Sequence, residues 1–332
     1  MKAILLTAPK ELHLTDLPRP ELAGGQVRVR VRKVGVCGSD YSSIAGKLPF
    51  TRFPIVVGHE ASGEILESAA QGWQPGERVL LHPILCRRDE EAFARGEVHH
   101  SDSTEVLGVV SRNGAYAEEV VVEDYMLRRM TDTMDFETAA MVEPVAVAVR
   151  AFQLGKPRGG DRVLVFGAGN IGLVLIQVAR ALGAGQVVVT DISPERLALA
   201  RSLGVDDAID VREEYPAGRL EKQFDMVIDG VGTNDTVNKA LAACVRGGRI
   251  VVYGVPAGDI NYPLKVAFSK DVTLATSRLY DANFDVAIRL VAEGKLRLTD
   301  IITHRVTLDE APALLLSLID GKEKAIKVMI ST

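Results

Sequence analysis

In Val27-Arg28-Val29-Arg30-Val31-Arg32 apolar residues alternate with arginines at period two. That pattern predicts a strand with one face on a core and the other in water. Short apolar runs bounded by Gly and Pro follow at residues 55–57, 78–81 and 119–122. Up to about residue 123 the pattern therefore predicts an antiparallel or barrel-like β unit with little helix.

The texture changes at residues 135–152, where Ala, Met, Val and Glu replace the Gly/Pro punctuation and predict helix despite Pro144. From residue 162, strand-like runs at 163–166, 186–190, 224–229 and 249–253 alternate with helical segments. One of these, 193–203, carries Ser193 as N-cap, Pro194 at the first helical position and Gly204 just past its end. Alternation of this kind requires crossover connections, hence a parallel sheet covered by helices on both faces. Cys244 falls on an apolar stripe with Val237, Leu241 and Val245, which predicts a core position on a helix. A tail with helical patterns at 282–293 and 308–320 and a strand-like run at 325–330 fits either unit by pattern alone.

The length of 332 residues agrees with about two domains. A net charge of −5, from 39 Lys+Arg against 44 Asp+Glu with no basic block, argues against a nucleic-acid or anionic-membrane binder. Three widely separated cysteines form no disulfide framework and fit a reducing compartment, with the cytoplasm as default. The start MKAILLTAPKELHL is too interrupted for a signal peptide. The longest uncharged stretch, 163–179, falls short of the ~20 apolar residues of a membrane span.

That stretch is better read as strand, then Gly167-Ala168-Gly169-Asn170-Ile171-Gly172, then a helix stopped by Gly183, then a second strand ending at Asp191. It meets the requirements of a dinucleotide fingerprint: Gly167 for the tight turn, Gly169 for approach of a pyrophosphate, Gly172 for close helix packing. The phosphates would sit at the helix N-terminus around Asn170 and Ile171. Asp191, 19 residues beyond Gly172, is placed to accept adenosine ribose hydroxyls and to repel a 2′-phosphate, favouring NAD over NADP. Arg196 is the one residue nearby that would favour a 2′-phosphate; the alternatives for the whole motif are a structural turn, a flavin or an S-adenosyl ligand.

In the N-terminal unit Cys37 ends the alternating strand within Gly35-Val36-Cys37-Gly38-Ser39-Asp40, and 22 residues on comes Gly58-His59-Glu60. Thiolate, imidazole and carboxylate form a catalytic-type zinc set with an open position. Spacing alone leaves this open, since a lone Cys after a strand is usually core and a lone His usually satisfies a local hydrogen bond.

The order GVCGSD, GHEASG, Glu143-Pro144 in AAMVEPVAVAVRA and VFGAGNIG resembles the zinc-dependent medium-chain dehydrogenase family. Likeness extends over nearly the whole chain, including SRLYDANFDVAIRLVAEGKL and ITHR, and is nearest the sorbitol dehydrogenase branch of polyol and sugar-acid dehydrogenases. The resemblance implies an α/β fold, with a Rossmann NAD-binding domain (150–281) inserted in a GroES-like catalytic domain (1–149 plus 282–332). It implies hydride transfer between NAD and a secondary alcohol of a polyol or sugar acid, and a homodimer or homotetramer. Cys37 and His59 would ligate zinc, Glu60 and Glu143 would share the remaining protein position or hold a bound water, and Ser39 would be the hydroxyl that takes the alcohol proton.

The sequence also departs from that family. Ser42 stands where many members carry a relay histidine, which leaves water as the proton's exit. The region 82–103 holds only Cys86, where many relatives have four cysteines for a structural zinc. A single zinc per chain is expected, with this lobe held by packing and by salt links in Arg87-Arg88-Asp89-Glu90-Glu91, and with His82, His99 and His100 as surface histidines. Lys47, Arg52 and Arg278 are weaker candidates for substrate contact. Two other readings stand beside the zinc enzyme: a metal-free quinone or enone reductase, and a non-catalytic NAD-binding regulator.

Overall fold

The computed structural model describes residues 1–280 and 282–332. They form two compact units, Met1–Glu143 with Leu298–Thr332, and Pro144–Arg297. No helix among the described residues is long and apolar enough to cross a membrane.

The first unit opens with β1 (Lys2–Ala8), β2 (Glu11–Asp16) and β3 (Gln26–Gly35), then the short helix α1 (Gly38–Ile44) and strand β4 (Ile55–Val56). It continues through β5 (Glu60–Ser68), β6 (Arg78–Leu81), β7 (Ile84–Leu85), α2 (Glu91–Ala94), β8 (Glu105–Val106), β9 (Glu119–Glu123), β10 (Leu127–Arg129) and α3 (Phe136–Ala140). Strand β3 organises this unit. Val27, Val29 and Val31 are buried as the alternation requires, while Arg28 and Arg32 pair across the strand with Glu67 and Glu64 of β5. A register shift between Val31 and Lys33 changes the phase of the alternation, so that Val34 is buried as well. One edge of β3 pairs with β5; along the other, Gln26–Arg30 pairs with β9, which leaves Lys33–Gly35 for another strand.

The helical stretch expected over 135–152 is two helices, α3 and α4 (Val142–Leu154), separated at Met141. Pro144 is accommodated because it lies in the first turn of α4, where no intrahelical N–H bond is lost. The second unit then alternates β11 (Arg162–Phe166), α5 (Asn170–Ala181), β12 (Gln186–Asp191), α6 (Pro194–Ser202), β13 (Asp207–Asp210), α7 (Ala217–Leu220), β14 (Phe224–Asp229), α8 (Asn234–Ala243), β15 (Cys244–Val252), α9 (Leu264–Lys270), β16 (Thr273–Thr276) and α10 (Asn283–Ala292). The sheet is parallel throughout, in the order β13-β12-β11-β14-β15-β16. That is the doubly wound dinucleotide-binding order, with its reversal between β11 and β14. Cys244 is core, as expected, but it opens β15 instead of lying on α8, which ends at Ala243.

The tail adds β17 (Ile302–Thr307), α11 (Ala311–Ile319) and β18 (Lys327–Ser331) to the first unit. Strand β18 occupies the free stretch of β3, with Met329 opposite Gly35 and Ser331 opposite Lys33. The units change over at 143/144 and 297/298, not near 150 and 281, so α10 belongs to the second unit. Its side chains explain why: Asn283 donates to Gln153 Oε1 at 2.7 Å, and the Arg297 N–H just beyond α10 donates to Gln177 Oε1 at 2.7 Å.

Candidate metal centre and cofactor site

The end of β3 and the start of β5 bring the first unit's chemistry together. Cys37 is the N-cap of α1, and the Asp40 carboxylate reaches back to accept the Cys37 N–H at 2.9 Å. Gly35 pairs with Glu60 across the sheet, so His59 and Glu60 emerge next to the Cys37 turn. Donor atoms of Cys37, His59 and Glu60 lie within 4.8 Å of one another, with the His and Glu buried. A tetrahedral zinc separates its ligand atoms by about 3.5 Å, so this donor set fits such an ion after small side-chain rotations. Glu60 Oε1 is buried without a hydrogen-bond partner, which is what an acceptor awaiting a cation looks like. Among the described residues this is the one such group of His, Cys and acidic side chains. Glu143 lies in the first turn of α4, at the end of the first unit, and its charge acts on the His59 ring.

Burial disfavours charge on His59, yet Asp40, the Cys37 side chain through its charge and a hydrogen bond, and Glu143 together hold its pKa well above the ordinary imidazole value. Such a concentration of negative charge around an imidazole is the field a divalent cation would neutralise. Ser39 is half-buried in the first turn of α1, two residues from Cys37. The Ser42 hydroxyl is committed to the Gly38 carbonyl at 3.1 Å.

Lys327, which no motif singled out, is the main addition. It is fully buried, its Nζ donates to the Val36 carbonyl at 3.0 Å, and it forms an ion pair with Glu60 Oε2. The pair fits only because position 35 has no side chain: a Cβ there would collide with Glu60 Oε2 and lie 2.9 Å from Lys327 Nζ. Its one trace in the sequence is a lysine inside the apolar run of the tail, 267 residues away from Glu60.

The lobe at 82–103 is held by ion pairs of Arg87 with Asp89 and Glu90 and of Arg88 with Asp124. Arg88 also lies 4.9 Å from the Tyr125 ring centre, and Phe93 meets Tyr125 edge to face at 5.0 Å. Of its histidines only His100 is exposed; His82 and His99 are buried, contrary to the surface reading. His82 follows β6 directly, its N–H bonded to the Met126 carbonyl, so the sheet carries it inward. Burial, with Arg128 beside it, pushes its pKa down to about 3, so it is neutral at physiological pH. Lys47 and Arg52 are exposed, and Arg278 is exposed in the second unit, two residues past the end of β16.

In the second unit, Gly167 has φ of 95°, and a Cβ at Gly172 would strike the Gly167 carbonyl oxygen. Both glycines are therefore required by the turn itself. Helix α5 starts at Asn170 with Gly169 as N-cap and no side-chain cap, which leaves its first N–H groups for an anion. Asp191 ends β12 nearly buried; its Oδ2 accepts the Ala168 N–H at 2.7 Å and its Oδ1 the Ser193 N–H at 2.8 Å. These bonds fix the carboxylate against the glycine turn and leave lone pairs for hydroxyl donors. The Arg196 guanidinium is partly exposed, and its Nη1 lies 3.9 Å from Asp191 Oδ2.

The zinc-binding dehydrogenase family matches residues 170–293, and the alcohol dehydrogenase GroES-like domain matches residues 23–132. Human sorbitol dehydrogenase is 30% identical over 323 residues, covering 93% of this chain and 90% of that protein. Among solved structures, galactitol-1-phosphate dehydrogenase from Escherichia coli superposes with a TM-score of 0.93 at 26% identity over 100% of both chains. An alcohol dehydrogenase from Escherichia coli CFT073, solved with cofactor NADH, gives 0.92 at 27% identity over 100% of this chain and 99% of that one.

Two outcomes are expected. Lys327→Met leaves Glu60 buried without its counter-charge and should lower unfolding free energy by about 3–5 kcal/mol in urea titrations, with Glu60→Gln in the same chain restoring much of the loss. His82 stays neutral in the folded chain down to about pH 3 but protonates near 6.5 when unfolded. Protons thus bind the unfolded state preferentially in that window, and stability should fall as pH drops from 6.5 toward 3, by up to ~1.4 kcal/mol per pH unit. His82→Gln should flatten that acid slope in urea midpoints measured across pH.

Proposed function

Since the chain belongs to the zinc-type medium-chain dehydrogenase family, we propose that it oxidises a secondary alcohol of a polyol or sugar acid to the ketone, with one zinc per chain and NAD as hydride acceptor. The convergence of Cys37, His59 and Glu60 within 4.8 Å carries this reading. Cys37 and His59 would supply two zinc ligands, and Glu60 and Glu143 would share the remaining protein position or hold a bound water; Lys327 tethers Glu60 through Oε2 and leaves its Oε1 without a hydrogen-bond partner. Zinc, when bound, acidifies a coordinated alcohol so that its alkoxide becomes accessible at neutral pH.

Ser39 accepts the alcohol proton and passes it to water, because the Ser42 hydroxyl is occupied by the Gly38 carbonyl. Gly167, Gly169 and Gly172 with the N–H groups at Asn170 and Ile171 bind the pyrophosphate of NAD, and Asp191 accepts the ribose hydroxyls. The Asp191 charge disfavours a 2′-phosphate even with Arg196 beside it, since that guanidinium is already drawn to the carboxylate.

Self-association as a homodimer or homotetramer is supported by the apolar side chains left exposed near the edge strand β16: Val255, Leu264, Phe268 and Leu274. A cytoplasmic location rests on the reduced-type cysteine usage, all three cysteines being free thiols.

NAD reduction should be measured over a panel of polyols and aldonates, with zinc quantified on the same sample. We expect turnover on at least one, about one zinc per chain, and loss of both in Cys37→Ala; chelator-insensitive turnover with Cys37→Ala fully active would replace this reading by a metal-free reductase. For the cofactor, Asp191→Ser should shift the ratio of kcat/KM for NAD over NADP toward NADP by about 10-fold or more, the effect of removing one charge worth ~1.4 kcal/mol. An unchanged ratio would remove Asp191 from the selectivity.

A further inference from the structure

The fold ties the two ligand-bearing segments together through a side chain that no motif marks. Tyr116 is completely buried between them. Its hydroxyl donates to Asp40 Oδ2 at 2.8 Å, the same oxygen that accepts the Cys37 N–H at 2.9 Å. Its backbone holds the other segment: the Tyr116 N–H donates to the Val57 carbonyl at 3.0 Å and the Ala115 N–H to the Gly58 carbonyl at 2.8 Å. The ring lies so close to residue 58 that a Cβ there would collide with it, which, together with a φ of 95°, accounts for glycine immediately before His59.

The consequence falls on His59. With Oδ2 saturated by two donors, Asp40 has only Oδ1 left, and this oxygen faces His59 Nδ1 at 3.6 Å. Both of those atoms are buried and have no hydrogen-bond partner among the described residues. That separation exceeds a hydrogen bond, so the carboxylate acts on the ring through its charge, favouring the proton on Nδ1 and the lone pair on Nε2. Were the Tyr116 hydroxyl absent, Asp40 would keep a single donor on Oδ2 and could rotate, and Nδ1 would lose its fixed counter-charge.

We propose that Tyr116 is a positioning residue for the metal centre: by clamping Asp40 it sets which nitrogen of His59 is presented to the metal. It touches neither metal nor substrate and works entirely through Asp40. The proposal rests on the reading that Cys37 and His59 hold zinc.

The test is zinc affinity, measured by chelator competition on the full chain, for wild type, Tyr116→Phe, Asp40→Asn, the double variant and Cys37→Ala. Tyr116→Phe removes only the hydroxyl and should weaken zinc binding by about 10- to 100-fold, the usual cost of losing a group that orients a metal-bound histidine. Because Tyr116 acts through Asp40, the double variant should bind zinc no more weakly than Asp40→Asn alone; a purely structural role would make the two losses multiply. Wild-type affinity in Tyr116→Phe, or multiplying losses, overturns the proposal. Wild-type affinity in Cys37→Ala overturns instead the zinc reading beneath it. A measurement on the native protein avoids reliance on variants that fold poorly: ¹⁵N spectra of histidine-labelled, zinc-loaded wild type should show His59 protonated at Nδ1 and ligated through Nε2. Ligation through Nδ1 overturns the proposal.

Discussion

Gathering a thiol, an imidazole and three carboxylates at one dry end of a β sheet is the costly step on which the first unit depends, because each charged form loses its hydration there. Asp40 and Glu60 are both essentially inaccessible to water, and Glu143 is nearly so. The fold offsets that cost with fixed counter-charges and donors. Glu60 receives the buried ammonium of Lys327, and Asp40 receives the Cys37 N–H and the Tyr116 hydroxyl. Burial raises the Asp40 pKa while His59, the Cys37 N–H and Tyr116 pull it back down. Asp40 thus keeps Oδ2 engaged and turns Oδ1 toward His59, while Glu60 keeps Oε2 engaged and leaves Oε1 without a partner.

The position of β18 follows from the same requirement. Strand β3 pairs with β5 on one edge and is shared along the other, where its last residues meet the C-terminal strand. Only that arrangement brings Lys327, at the start of β18, beneath Val36 and Glu60. Gly35 contributes by having no side chain to occupy the space. The tail is therefore part of the site's electrostatics as well as of its sheet.

Within the second unit the glycine turn obeys a similar logic at the level of backbone. The Asp191 carboxylate, at the end of β12, accepts the Ala168 N–H, so it braces the glycine turn between β11 and α5. Asp229, at the end of β14, does the equivalent for its own turn, accepting the Val231 N–H at 2.8 Å and the Thr236 hydroxyl at 2.7 Å. Acidic residues at the carboxyl ends of β12 and β14, the two strands that flank β11, thus shape the turns along that rim of the sheet.

The alternation in β3, the glycine fingerprint with Asp191, the capped helix α6 and the Cys37 and His59 motifs were legible in the chain itself, because each depends on residues a few positions apart. The parallel sheet followed from the alternation of strand and helix patterns for the same reason. What the sequence could not express were relations between distant segments: β18 beside β3, Lys327 under Glu60, and Tyr116 bridging Asp40 and Gly58. The burial of His82 and His99 and the placement of Cys244 on a strand were likewise decided by packing, since local propensity carries no record of which surface another segment will cover. Sequence named the atoms suited to hold a metal and a dinucleotide; the long-range sheet pairing decided which of their lone pairs remain free to do so.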